Sequence, residues 1–211
     1  MKRFFCVHCG KCCTDVTVQI NLTFGDITRL SKSLKKPIND LYKEGIIGFY
    51  PFFDPEKEVY EIEIGLTKQC KLWKNGKCSN YKGRPINCRL FPYWLLATNV
   101  PVEEMFDESY GCVHGITVDE NDKAKYKKYC KALGEILLEE SEITDKALRE
   151  AKSRLGIPLF LNLSEFKTEE KRITEGIKII QSLNLNPLFQ EICKLEKLEW
   201  KDFNELINDL D

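Results

Sequence analysis

A chain of 211 residues with a formal net charge of −1 is long enough for one main domain and a smaller helical part, which excludes large multidomain machinery. The first residues lack the apolar stretch of a signal peptide and no window approaches a membrane span, so we expect a cytoplasmic protein without a membrane partner. Ten cysteines in such a chain argue against a disulfide framework, because the cytosol keeps thiols reduced and cysteine sets there more often hold metal.

The first predicted elements are a short strand and a helix. Apolar residues occupy every second position from Val16 to Leu22, which is the period of a strand with one buried face. Thr23 follows as a helix cap, and Asp26 stands three positions later in an acidic variant of the capping box. We therefore predict a helix from this cap through Leu34.

A second strand and a tight turn are predicted in the next part of the chain. The run from Val59 to Ile64 alternates between apolar and polar residues, as a half-buried strand does. Further on, Asn75-Gly76 is a typical pair for a two-residue hairpin turn. The sheet should thus be small, with the cysteines at its ends and turns.

From about Glu120 the apolar spacing becomes that of a helix, which should end at Gly156. This change of pattern predicts an α+β fold in which a small sheet and cysteine-rich loops are followed by helices. We place the cysteine-rich metal-binding domain at residues 1–118 and a helical extension packed on it at residues 119–211.

Eight of the ten cysteines lie in clusters that suggest metal ligands. They are Cys6, Cys9, Cys12, Cys13, Cys70, Cys78, Cys88 and Cys112. His8 and His114 each lie two residues from one of them, where a histidine could replace a thiolate or only form a nearby hydrogen bond. Cys130 and Cys193 lie instead on apolar helical stripes, so we predict that these two are ordinary core thiols.

The spacing of the first cysteines bears on the kind of metal centre. Cys6, Cys9 and Cys12 repeat twice the two-residue gap that brings thiolates to one metal. Three such thiolates can occupy three corners of an iron–sulfur cubane, which favours a cluster over a single zinc ion. Since neighbouring side chains are expected to diverge, Cys12 and Cys13 should serve two centres or one polynuclear centre. Zinc remains the alternative, because both metals accept thiolate sets.

Positive charge is concentrated around the cysteines. Residues 66–92 contain seven lysines and arginines without an acidic residue, and residues 1–13 contain three more. The remainder of the chain has 22 basic against 33 acidic residues. Two centres of four thiolates would need about four of these cations, and the surplus predicts an anionic partner.

Two arginines are the best candidates to hold that anion. Arg84 and Arg89 flank Cys88, and a guanidinium binds a carboxylate or phosphate in a fixed fork. The partner could be an anionic small molecule, a protein substrate or a nucleic acid. A lysine-rich hairpin that is simply solvated is the alternative explanation.

These motifs together resemble the CxxCxxCC (YkgJ-like) family of zinc- or iron-chelating cysteine-cluster proteins, often labelled Fe-S oxidoreductases. The resemblance covers roughly residues 4–116 and implies an eight-cysteine metal domain. The motifs are Cys6-x-x-Cys9-Gly10-x-Cys12-Cys13, Leu22-Thr23-x-x-Asp26-Ile27 and Arg84-Pro85-x-x-Cys88-Arg89. The domain is also similar to part of the flagellin lysine N-methylases, which implies an iron–sulfur cluster and S-adenosylmethionine-dependent methyl transfer. This chain is shorter and lacks a glycine-rich turn that would cradle a nucleotide.

Two functions follow as expectations. In the first, the protein holds a 4Fe-4S cluster and acts as an oxidoreductase or as an iron–sulfur-dependent methyltransferase on an anionic substrate. In the second, it is a zinc-stapled binding module whose basic face engages nucleic acid or an acidic protein. No catalytic side chain is identified for either function.

Overall fold

An antiparallel sheet of three strands packs against helices in an α+β fold, which confirms the fold class predicted from the sequence. The structure is a computed structural model that describes residues 10–15, 20–54, 57–67, 69–90 and 120–203. The helices are α1 (Lys11–Thr14), α2 (Phe24–Leu34), α3 (Ile38–Lys43), α4 (Ile86–Leu90), α5 (Glu120–Leu155), α6 (Glu169–Ser182) and α7 (Asn186–Cys193). The strands are β1 (Ile47–Asp54), β2 (Val59–Leu66), β3 (Trp73–Lys74), β4 (Lys77–Cys78) and β5 (Phe160–Leu161).

Helix α2 begins at the predicted cap. The hydroxyl of Thr23 accepts a hydrogen bond from the Asp26 N–H at 3.0 Å, which satisfies one of the free amides of the first turn. The Asp26 carboxylate, however, accepts from the Ile86 N–H of α4. The acidic half of the predicted capping box is therefore used for a contact between two helices.

The predicted first strand is described only at its end. Residues 16–19 lie outside the described residues, and Asn21 forms an isolated antiparallel bridge with Gly65 of β2. The Leu22 N–H donates to the Ile64 carbonyl at 3.0 Å. The described end of this segment, residues 20–22, therefore runs along β2 and leads into α2.

Strand β2 lies at the centre of the main sheet, which has the order β1-β2-β5. The predicted strand at residues 59–64 is confirmed as part of β2, which pairs with β1 from Ile47↔Leu66 to Asp54↔Val59. On its other side, Tyr60 pairs with Leu161 of β5. Segments before residue 91 and after residue 119 thus share one sheet. The predicted boundary at residue 118 lies outside the described residues and stays a prediction.

A second sheet consists of the short hairpin β3–β4. Asn75 and Gly76 have φ angles of 52° and 73°, so both central residues of the turn adopt the left-handed conformation that a type I′ turn needs. The predicted turn is confirmed. In this hairpin Trp73 pairs with Cys78, which fixes the position of one candidate ligand.

Helix α5 extends over 36 residues and ends at Leu155, directly before Gly156 with a φ of 66°. The predicted start and end of this helix are confirmed. Its Cys130 is buried as predicted, and burial raises the pKa of that thiol to about 12. Cys193 on α7 is half-buried against the core, and burial raises its pKa to about 11.

The core lies between the three-stranded sheet and helices α2, α3, α5, α6 and α7. Burying one large apolar side chain there stabilises the fold by about 1.5–3 kcal/mol. Its largest fully buried members are Phe24, Ile27, Leu30, Leu41, Ile47, Ile62, Ile64 and Phe189. Among the helices in the described ranges, none combines the length and apolarity that a membrane crossing requires.

Candidate metal centre

The first two described cysteines lie on the single turn of α1. The N–H groups of Cys13 and Thr14 both donate to the Gly10 carbonyl at 2.9 Å. The Sγ atoms of Cys12 and Cys13 are 3.9 Å apart. The expectation that these side chains diverge is therefore wrong, because residues one apart in a helical turn differ by only about 1.5 Å along its axis and rotation about χ1 brings the thiols together.

Cys70 joins this pair from the second cysteine group. Its N–H donates to the Cys13 carbonyl at 2.8 Å, and its thiol hydrogen-bonds with that of Cys13. Trp73, three residues later, lies so close to Gly10 that a Cβ atom there would be 2.5 Å from the indole ring. Gly10 also has a φ of 74°, so both space and backbone conformation favour glycine at this junction.

Cys78 and Cys88 complete the described set from β4 and α4. Burial raises the pKa of the Cys88 thiol above its usual range, and the nearby charges of Cys70 and Cys12 raise it further. Burial likewise raises the pKa of Cys78, while the Asn80 N–H donates to that sulfur and opposes the shift. Cys78 and Cys88 thus lie near enough to Cys12 and Cys70 for their charges to interact, which places five thiols from distant parts of the chain in one neighbourhood.

This arrangement suits a metal ion or cluster. Thiolates packed together repel one another, and a cation of high charge density both deprotonates thiols and relieves that repulsion. Two thiolates on one tetrahedral zinc ion, each about 2.3 Å from it, would lie about 3.8 Å apart, close to the 3.9 Å between Cys12 and Cys13. Within the described ranges, no three His, Cys, Asp or Glu side chains surround a single ion position. Three predicted ligands, Cys6, Cys9 and Cys112, lie outside those ranges.

Arg84 lies beside two of the thiols. Its positive charge lowers the pKa of both Cys78 and Cys88, against the larger effect of burial. The guanidinium carbon is 3.9 Å from the ring centroid of Tyr81, and the buried Nε has no hydrogen-bond partner among the described residues. Arg84 therefore offsets thiolate charge, while the anionic ligand predicted for it stays a prediction.

Arg89 braces the loop that leads into α4. Its Nε donates to the Arg84 carbonyl at 2.9 Å, and its Nη2 donates to the Lys82 carbonyl. These bonds fix the backbone before Cys88 and use part of the guanidinium fork. The predicted contact of Arg89 with an anion stays a prediction as well.

A separate polar cleft of about 300 Å³ lies between the sheet and α5 and extends to Asn87, the neighbour of Cys88. Its charged lining residues are Asp54, Glu61, Glu63, Asp145 and Arg149. Burial raises the pKa of Glu63 to about 7, and the buried ammonium of Lys152, 3.6 Å from its Oε1, opposes the shift. Sequence reasoning missed this cleft, because its walls come from four distant segments with no shared motif.

The comparisons with known proteins agree with the chemistry of the cysteines. The chain is 29% identical over 154 residues to "Uncharacterized protein MJ0661" of Methanocaldococcus jannaschii. These aligned residues cover 72% of this chain and 80% of that protein. No solved structure matches the chain. The model of the CxxCxxCC family, described as "Putative zinc- or iron-chelating domain", matches residues 5–131, more than half of the sequence. The chain therefore belongs to the CxxCxxCC family of metal-chelating domains.

Proposed function

We propose that this metal-binding chain is an iron–sulfur protein whose centre is a polynuclear cluster of the 4Fe-4S type. The observation that supports the proposal is the convergence of more thiols than one metal ion accepts. Those described are Cys12, Cys13, Cys70, Cys78 and Cys88. A mononuclear zinc site and a 4Fe-4S cluster each take four thiolates, so five or more neighbouring thiols support more than one centre. The repeated two-residue spacing of Cys6, Cys9 and Cys12 favours an iron–sulfur cluster as one of them.

The side chains around the thiols fit such a cluster. The backbone N–H of Asn80 donates to the Cys78 sulfur, and hydrogen bonds of this kind stabilise the charge on cluster ligands. Cys88 is partly buried, and Arg84 supplies positive charge beside it. When bound, the cluster supplies one-electron transfer or activation of a substrate. The protein would act as an oxidoreductase or transferase whose anionic substrate lies near Arg84.

A zinc-stapled binding module is the second candidate. The hairpin with its type I′ turn and its N–H···S bond at Cys78 has the form of a knuckle that holds a structural ion. Lys74, Lys77 and Lys82 are exposed and form no ion pair with another described residue. Two zinc ions with four thiolates each would use the same eight cysteines. The exposed lysines would form a basic face for nucleic acid or an acidic protein.

Metal analysis of the purified chain distinguishes the two candidates. The protein is purified under anaerobic conditions, and iron, zinc and acid-labile sulfide are quantified per chain. We expect brown protein with iron and sulfide in comparable amounts. Colourless protein with two zinc ions and no sulfide would support the binding module instead. Folded protein free of both metals would contradict both candidates.

A further inference from the structure

We infer that Asp26 positions the helix that carries Cys88, and that Glu140 of α5 holds Asp26 in place through Arg29. The inference rests on the proposed metal centre and adds the structural device that orients one of its ligands. It also gives the helical part of the chain a role in metal binding.

The direct contact is between Asp26 and the start of α4. The Asp26 carboxylate is fully buried, and its Oδ1 accepts from the Ile86 N–H at 3.0 Å. Ile86 is the first residue of α4, and Cys88 is the third. The first amides of a helix have no partner within the helix, so an acceptor from another element fixes its start. Asp26 thereby restrains the position of Cys88.

Arg29 joins Asp26 to α5. Its Nη2 donates to Asp26 Oδ1 at 3.0 Å and to Glu140 Oε2 at 2.7 Å, while its Nη1 donates to Glu140 Oε1 at 2.8 Å. The guanidinium carbon also lies 4.0 Å from the ring centroid of Phe203. A bidentate pair of this kind has a fixed geometry, so Glu140 determines where Arg29, and through it Asp26, can lie.

Glu140 is itself held tightly against α2. Its Oε2 accepts from the Thr23 hydroxyl at 2.5 Å. A Cβ atom at Gly25 would lie 2.2 Å from the same oxygen, so only glycine leaves room for this carboxylate. The Leu-Thr-x-x-Asp-Ile motif, which the sequence explains as a helix start, therefore also connects α5 to the Cys88 ligand.

The network predicts a graded series of metal affinities. Asp26→Ala removes the acceptor for the Ile86 N–H, and we expect metal affinity to fall about 10–100-fold, as it does when partners of metal ligands are removed. Asp26→Asn keeps an oxygen acceptor and should recover most of that loss. Glu140→Gln should have an intermediate effect, because Arg29 can still bind Asp26.

The test uses the full chain with the metal that it carries on purification. Each variant is challenged with a chromogenic chelator, bathophenanthroline for iron or pyridylazoresorcinol for zinc, and the affinity and rate of metal loss are measured. In parallel, iodoacetamide labelling with mass spectrometry reports which cysteine becomes reactive. We expect at least 10-fold faster labelling of Cys88 in Asp26→Ala, with Cys78 still protected.

Two controls separate positioning from general stability. Glu139→Gln changes an exposed neighbour of Glu140 on the same helix and should leave metal affinity unchanged. Ile173→Ala creates a cavity under α6, which packs on β1, so it lowers stability without touching α4. This variant should keep Cys88 protected. Should Asp26→Ala fail to fold, the comparison of Asp26→Asn, Glu140→Gln and Glu139→Gln carries the same test.

The outcomes separate this inference from the proposed function. Metal in the wild-type chain together with unchanged affinity and Cys88 protection in Asp26→Ala would overturn the inference alone. Equal loss of metal in Ile173→Ala would also overturn it, because general stability would then explain the effect. A wild-type chain that holds no metal would overturn the proposed function, and the inference with it.

Discussion

The cysteine region and the body of the molecule are held together in different ways. In the body, β1 and β2 are eight residues long, α5 has 36 residues, and their apolar faces form one core. The cysteine region, residues 10–15 and 69–90, has strands of two residues and helices of four and five. Elements this short bury too little apolar surface to be stable alone. We therefore expect metal–thiolate bonds to supply part of the stability of the cysteine region, which the core supplies elsewhere.

The largest expected effect is that of metal removal, which should destabilise the cysteine region and leave the body folded. Cys12→Ser and Cys88→Ser should each release metal, and binding of a structural metal in small domains contributes about 10–16 kcal/mol. Hydrogen exchange measured by mass spectrometry should then show lost protection in residues 69–90, whereas β1 and β2 stay protected.

The matched control is Cys193→Ser, because Cys193 packs against the core on α7. This variant should keep its full metal content. If it lost metal as the other two variants do, the division of the ten cysteines into ligands and core thiols would be wrong.

A core substitution in the body should have the opposite effect, with lower stability of the body and unchanged metal content. Phe189 is buried and stacks on Tyr42 with ring centroids 4.1 Å apart. Phe189→Ala should lower the free energy of unfolding of the body by about 3–5 kcal/mol, because it leaves a cavity. Urea unfolding followed by circular dichroism measures this loss, while metal content per chain should stay unchanged. Leu138→Ala, at an exposed position of α5, serves as the control and should change stability little.

Parts of the body could be predicted from the sequence, because those elements are regular. The period of two in β2, the Thr23 cap of α2 and the glycine after α5 are local signals, and the structure confirms each of them. Strands β1 and β5 were not predicted. The sequence of β1 is almost continuously apolar and does not alternate, and the two residues of β5 are too few for a period to be visible. The place of β5 in the sheet depends on the tertiary contact with β2.

The metal centre could be predicted only as a set of residues. Cysteine spacing identified the thiols that converge, but the closeness of Cys12 and Cys13 depends on the turn of α1 and on side-chain rotamers. The contact from Asp26 to the Ile86 N–H joins residues 60 positions apart, and no local pattern indicates it. Distances of this kind result from packing, which a sequence motif does not encode.

The buried pair of Glu63 and Lys152 gives the body a dependence on pH. The pKa of Glu63 is raised by burial from 4.5 to about 7. Between these two pH values the folded state keeps a proton on Glu63 that the unfolded state has lost. Stability should therefore be fully present below about pH 4.5 and should fall by up to about 3 kcal/mol as pH rises to about 7. Lys152 opposes this shift, because its positive charge favours the carboxylate.

Lys152→Met tests this sign. Without the ammonium, the pKa of Glu63 should rise further, so stability should continue to fall above about pH 7. Urea unfolding between about pH 5 and about pH 9 measures the slope. Lys131→Met, at an exposed position of the same helix, is the control and should follow the wild-type curve. An unchanged slope in Lys152→Met would contradict the assignment of this pH dependence to the pair.

The smallest predicted effect is that of a glycine-to-alanine substitution, which can be made in both the cysteine region and the body. Gly76 in the β3–β4 turn and Gly156 after α5 have φ angles of 73° and 66°, and an added Cβ would meet nothing within 4 Å at either position. An alanine there costs about 1–2 kcal/mol through the left-handed backbone alone. Gly156→Ala should lower the free energy of unfolding of the body by that amount, with or without metal. In Gly76→Ala the same cost should appear as metal affinity about 5–30-fold weaker, measured by chelator competition, while urea unfolding of the body stays unchanged. If Gly76→Ala instead destabilised the body and kept its metal affinity, the hairpin would be stabilised by the core and not by the metal.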